Sequence, residues 1–213
     1  MNPTRRQFLA QSLVLGSLSV APALPSTAAP APARTRNAIG MFVYLDGREP
    51  DEALAPVKEL GFTCCEVDLN AFPDAYAAKL RAALDRLGLQ ATALFTSGPG
   101  EQTYDFYQGL DNQGVGLDTA NLIMCGKGHP LDALDVYGQH LKAVNAKDGL
   151  FPTDTRNLGR ETPLGEGKVD FPRVMRRLRE LNYTAPIIIE REITGPQLLP
   201  ELRQAKAFLE RIL

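Results

Sequence analysis

The chain is poor in the residues that build metal-rich or disulfide-rich proteins, with three cysteines and two histidines among 213 residues. Basic charge is not in excess either. Lys and Arg number 23 against 25 Asp and Glu, a net charge of −2, so nothing in the balance favours a polyphosphate backbone, and nucleic acid is not expected as a partner. The spacing of Cys64, Cys65 and Cys125 gives neither a disulfide framework nor a zinc pattern. Cys64 and Cys65 fall in a strand-like run, with side chains on opposite faces, and buried structural thiols are the expectation. Beyond the N-terminus no apolar run is long enough for a transmembrane helix. No G-x-G-x-x-G follows the first strand, which argues against a dinucleotide fold. Gly167-Lys168 is followed by Val169, not Ser or Thr, so a P-loop is excluded too.

What is present is an ordinary soluble composition, 44% hydrophobic and 23% charged, enough for one core. The first 29 residues stand apart. Thr4-Arg5-Arg6-Gln7-Phe8-Leu9 has the twin-arginine pattern, an apolar run follows to Val20, and Pro25-Ser26-Thr27-Ala28-Ala29 offers small residues for cleavage. The expectation is an exported, periplasmic protein with no stable membrane span after signal cleavage. Removing the first 29 of 213 residues leaves 184. Residues 30–37, rich in Pro, Ala and Arg, form a linker, and 38–213 form the domain.

Short apolar strands then alternate with amphipathic helices. Strands are expected over Ile39 to Leu45, Phe62 to Leu69, Leu89 to Phe95, Val115 to Leu117, Leu141 to Lys147 and Pro186 to Ile189. Helices are expected over Pro50 to Leu60, Ala75 to Leu87, Leu131 to Gln139, Phe171 to Leu181 and Gln197 to Leu213. Gly61 and Gly88 stop the first two helices. The alternation fails from Thr96 to Gln113, and a long loop is expected from Asp148 to Lys168. Six β-α units in one order specify a parallel α/β sheet, either doubly wound or a (β/α) barrel.

In a barrel, active groups stand at the carboxyl ends of strands on the inward face. Alternation puts Glu66, Asp118, Asn145, Lys147 and Glu190 there. Glu190 directly follows Ile187-Ile188-Ile189, and burying a carboxylate in that position needs a cation or hydrogen bonds. The group reads as a carboxylate-rich site for a hard divalent cation, Mg²⁺ or Mn²⁺; the plainer reading pairs each acid with a loop amide or with Lys147 or Arg191. Leu164-Gly165-Glu166-Gly167-Lys168-Val169-Asp170 leads into a helix, as an anion-binding turn or as a simple N-cap.

Four stretches carry a family resemblance: Gly116-Leu117-Asp118-Thr119-Ala120-Asn121, Asn145-Ala146-Lys147-Asp148-Gly149, Leu164 to Pro172, and Ile189-Glu190-Arg191-Glu192. Together they resemble the sugar phosphate isomerase/epimerase family, whose fold is the xylose isomerase-like TIM barrel. The resemblance implies one divalent ion, Mn²⁺ or Mg²⁺, held by a Glu, an Asp, a His and a Glu from four late strands. The Asp corresponds to Asp118 and the last Glu to Glu190. The His position is occupied by Asn145, and the strand carrying the first Glu has no counterpart. His129 and His140 stand at no ligand position and are expected on the surface. A full barrel takes about 250 residues, so 184 residues imply an incomplete barrel of about six parallel strands instead of eight. The missing units would fall between Leu110 and Asp111.

The implied chemistry is proton transfer next to a sugar carbonyl through an enediolate, with Glu190 as ligand and acid/base. Glu66, Asn121, Asn145 and Lys147 would bind the substrate, a sugar or sugar phosphate. The competing expectation is a shortened relative that binds a sugar or partner without turnover. Homo-oligomerisation through open sheet edges is expected to accompany an incomplete ring. A nuclease of the same barrel type would need more histidines and a basic surface, and is set aside.

Overall fold

The computed structural model describes residues 37–68, 74–95, 115–154 and 156–213. The expected signal segment, most of the expected linker and the expected junction between Leu110 and Asp111 lie outside them. The elements in order are β1 (Ile39–Tyr44), α1 (Pro50–Glu59), β2 (Cys64–Asp68), α2 (Asp74–Leu87), β3 (Gln90–Phe95), β4 (Val115–Asp118), α3 (Asn121–Met124), α4 (Pro130–Tyr137), β5 (Leu141–Ala146), β6 (Asp148–Gly149), β7 (Glu161–Thr162), α5 (Phe171–Glu180), β8 (Ile187–Ile189) and α6 (Leu198–Ile212).

Six of these strands form one sheet in the order β3-β2-β1-β8-β5-β4, and every neighbouring pair is parallel. The first and last β-α units therefore meet through β1 and β8, as they do when a barrel closes. The result is a curled half-barrel sheet with helices, an incomplete TIM barrel whose edges, among the described residues, are β3 and β4.

Alternation along the strands separates two environments. Met41, Val43, Cys65, Val67, Leu117, Val144, Ala146, Ile187 and Ile189 point outward into the main core, where they meet helix residues such as Leu54, Val57, Leu84, Val174, Leu178 and Leu209. The opposite face has only a small apolar floor of Phe42, Cys64 and Ile188, with Tyr44 packed against it. Gly40 belongs to this floor: a Cβ there would lie 2.8 Å from both the Cys64 sulfur and an Ile188 methyl. Cys64 and Cys65 are thus buried on opposite faces, whereas Cys125 is exposed, against expectation. It follows the single turn of α3 and has no core to enter.

Helix limits follow local chemistry. Gly61 and Gly88 adopt left-handed φ of 70° and 64° just beyond α1 and α2, where a side chain would be strained. In α5, Phe171, Val174, Met175 and Leu178 are buried at helical spacing, while the Asp170 side chain accepts a hydrogen bond from the Arg173 amide at 3.2 Å. The expected helix Leu131 to Gln139 ends earlier, at Tyr137, and passes into a 3₁₀ turn over Gly138–His140. His129 caps α4, its ring accepting the Leu131 amide at 3.4 Å, and His140 is exposed. The expected loop from Asp148 to Lys168 contains an unforeseen antiparallel pair, β6 with β7.

Candidate functional site

The inner face turns polar at the carboxyl ends of its strands, bringing Tyr44, Glu66, Asp118, Asn145, Lys147 and Glu190 to one end of the sheet. Parallel register does this directly: Phe42 pairs with Glu66, Asp118 with Asn145, and Asn145 with Ile188. The Glu190 amide donates to the Ala146 carbonyl at 3.1 Å, extending the β5–β8 ladder by one step.

Glu190 is the hub. Its Oε2 accepts from the Asn145 amide at 3.0 Å, its Oε1 accepts from the Tyr44 hydroxyl at 3.1 Å, and the Lys147 ammonium stands 3.5 Å from Oε1. Burial pushes the Glu190 carboxyl above the ordinary carboxylate range; Lys147 opposes that, and the Asp118 charge adds to it. Tyr44 is raised by burial and by the neighbouring Glu190, so it remains a hydroxyl donor.

Lys147 is wholly buried, its side chain 0% exposed, with the ammonium 2.5 Å from Glu192 Oε1 and 3.6 Å from Asp118 Oδ2. Burial alone would push it down. The Glu192 hydrogen bond and the charges of Glu190 and Asp118 outweigh that, and its pKa lies above the ordinary lysine value. Thr119 fixes the root of this side chain: its hydroxyl donates to the Lys147 carbonyl at 2.6 Å and accepts the Lys147 amide at 3.0 Å. A lysine expected to face substrate hydroxyls is instead spent on three carboxylates.

Asp118 divides its oxygens. Oδ1 accepts the amides of Ala120 and Asn121 at 2.8 and 2.9 Å, while Oδ2 faces Lys147. Burial raises its pKa despite Lys147. Asn121 opens α3 and is exposed. Glu66 is 6% exposed, yet its Oε2 has no hydrogen-bond partner among the described residues. Burial and then the Glu190 charge raise its pKa, against a lowering hydrogen bond from Asn145. Asn145 therefore donates to Glu190 and, standing beside Glu66, lowers the Glu66 pKa as well.

The glycine-rich turn is built around an anion, and the anion is the protein's own. Asp148 Oδ1 accepts the amides of Gly149 and Val169 at 2.9 and 3.0 Å, and Oδ2 those of Gly165 and Gly167 at 2.9 and 3.0 Å. A Cβ on Gly167 would fall 2.1 Å from Asp148 Oδ1. The turn's donors are consumed internally, which leaves it no call for a substrate phosphate.

Three participants escaped sequence reasoning. Tyr44 shares the inward parity of Gly40 and Phe42 at the end of β1, a signal of the same kind that identified Glu66. Glu192 lies two residues beyond Glu190, past the end of β8. Its main-chain amide donates to the Glu161 carboxylate at 3.2 Å, and Arg191 binds Glu161 and Glu201 at 2.6 Å each. Thr119 stands out in the sequence only as a member of the stretch Gly116 to Asn121, and is a buried clasp between β4 and β5.

These residues do not suit a divalent ion. Asn145 offers its N–H to Glu190 where an acceptor would be needed, Asp118 Oδ1 already holds two amides, and a fixed ammonium lies between the carboxylates. Among the described residues no group of three His, Cys, Asp or Glu is arranged to hold a metal.

A half-barrel with its polar residues at the carboxyl strand ends defines a (β/α)-barrel protein with its site on the usual face. Residues 100–212 match the family described as Xylose isomerase-like TIM barrel, and the chain belongs to that family. Among solved structures, a xylose isomerase domain protein from Planctomyces limnophilus aligns with a TM-score of 0.71 at 18% identity, over 83% of this chain and 97% of that one. The 3-keto-D-glucoside 4-epimerase YcjR from E. coli, in its apo form, aligns at 0.52 and 15% identity, over 83% of this chain and 100% of that one. At these identities the likeness is one of fold. No curated protein matches the chain.

Proposed function

We propose that the protein is an exported member of this family acting on a sugar, with Glu190 moving a proton at the carbon next to a carbonyl. The observation that carries the reading is the convergence of Glu190, Glu66 and Asn145 on one inner face, with a buried Glu66 oxygen left for a ligand hydroxyl to satisfy. The epimerase name of one structural neighbour supports the same substrate class.

In this reading Glu190 takes the proton. Lys147 opposes the effect of burial on Glu190 and helps keep it a carboxylate able to act as a base. Tyr44 and Asn145 orient it through Oε1 and Oε2. Glu66, raised by burial, binds a substrate hydroxyl and returns a proton to the opposite side. Asn121, exposed at the start of α3, contacts the outer end of the sugar. Lys147 acts through Glu190, because its buried ammonium has no surface to offer a ligand.

A second reading, sugar binding without turnover, is favoured by the saturation of Glu190: Tyr44, Asn145 and Lys147 all engage its two oxygens. One experiment separates the two. Ketoses and 3-keto glycosides incubated in D₂O with the protein should gain deuterium next to the carbonyl, read by NMR. Saturation-transfer signals without deuterium gain would establish the binding reading instead.

Export follows from Arg5-Arg6 and the small-residue segment ending at Ala29. The 184 remaining residues fit a barrel shortened by about two units, with association through the β3 and β4 edges protecting exposed backbone.

A further inference from the structure

We propose that Lys147 is the resident cation of this site, neutralising Asp118 and Glu190, the two residues that would hold a divalent ion, and that the site operates without a metal. Three carboxylates face one ammonium: Glu192 at 2.5 Å, Glu190 at 3.5 Å and Asp118 at 3.6 Å. Asp118 and Glu190 are largely buried and Glu192 is half exposed beside them, and two buried carboxylates at one strand end need a cation. The lysine supplies it from within the chain, and it cannot readily swing away. Its main-chain amide and carbonyl are both tied to the buried Thr119 hydroxyl, and its stem is enclosed, at 0% exposure.

The surrounding atoms are set for an ammonium. An ammonium has three hydrogens to donate, matching three carboxylates at hydrogen-bond or close ion-pair range. A divalent ion would need several oxygens turned to it at about 2.0–2.2 Å. Here Asp118 Oδ1 is held by two main-chain amides, Glu190 Oε2 by the Asn145 N–H, and Glu190 Oε1 by Tyr44. The inference does not depend on turnover, since it concerns which cation neutralises the cluster.

The proposal makes an inverse prediction. Shortening the lysine empties the centre of a three-carboxylate cluster and leaves a charge that a divalent ion can neutralise. Mn²⁺ is titrated into the chelator-treated full chain, wild type, K147A and K147Q, by calorimetry and by the loss of the free-ion EPR signal. The wild type should show no stoichiometric binding. K147A should take up one Mn²⁺ per chain, about tenfold or more tighter than the wild type, and lose that gain when combined with E190Q. K147Q removes the charge but keeps most of the stem and a polar end, and it tests the charge if K147A fails to fold; it too should gain Mn²⁺ affinity, and Mn²⁺ should raise its Tm. Stoichiometric Mn²⁺ binding by the wild type would overturn the proposal, as would the absence of any gain in both variants. Neither result touches the deuterium-exchange test of sugar chemistry.

Discussion

Glu66 is a buried carboxyl held between hydrocarbon, Asn145 and the charge of Glu190. Its pKa, like those of Asp118 and Glu190, is raised in the folded protein. The native state therefore binds more protons than the unfolded chain just above the ordinary carboxylate pKa. Stability from these groups is complete below that value and is lost as pH rises through the raised values. Lys147 is also raised, so its contribution persists through neutral pH and is lost only in the alkaline range. Glu66→Gln should thus raise Tm at about pH 7.5 by ~2–4 °C, the shift that about 1 kcal/mol produces in a chain of this size. At about pH 3, where the carboxyl is protonated in the unfolded chain as well as in the folded protein, the gain should vanish. Calorimetric scans at the two pH values check this; equal gains at both would show that charge is not the cause. Much at this scale was legible beforehand: strand parity identified Glu66, Asp118, Asn145, Lys147 and Glu190. Parity could not tell what each oxygen would bind, because Lys147 and Asp118 reach their partners across strands distant in sequence.

The elements show where local signals suffice and where they fail. Strand and helix positions were readable because apolar residues repeat at the period of the structure they form, as Phe171, Val174, Met175 and Leu178 do in α5. The segment from Asp148 to Gly167 was not readable in this way. Its order comes from one carboxylate gathering four amides, and β6 and β7 are each two residues long, too short for any periodic pattern. The glycine-rich turn reads in the sequence as anion-binding or as a simple N-cap; Asp170 does cap α5, and the anion its amides hold is Asp148, about twenty residues upstream. Gly167→Ala should be among the most damaging small substitutions, since its Cβ would collide with that carboxylate. A loss of about 3 kcal/mol, comparable to breaking a buried network of charged hydrogen bonds, is expected in urea unfolding. A loss below about 0.5 kcal/mol would mean that the turn does not depend on the Asp148 cradle.

At the scale of the molecule, a parallel sheet whose first and last strands pair, β1 with β8, has the seam of a barrel and, among the described residues, edges at β3 and β4, with an inner face that is apolar at the floor and polar at the rim. That much followed from six β-α units and the chemistry of the strand ends. The choice between a doubly wound sheet and a barrel was not settled by periodicity, because both use the same units; the strand order decided it. The export reading belongs to this scale as well. Changing Arg5 and Arg6 together to Lys should leave uncleaved precursor inside the cell and remove the mature form from the exported fraction, as seen on immunoblots. Undiminished export of the variant would remove the twin-arginine assignment without affecting the fold. The central claim is that Glu190 transfers a proton next to a sugar carbonyl. Its most direct test is deuterium wash-in from D₂O across a panel of ketoses and 3-keto glycosides, comparing the wild type with Glu190→Gln. The account predicts exchange by the wild type and a fall of about 10²-fold or more in the variant; exchange unchanged by the substitution, or none by the wild type on any member of the panel, would contradict it.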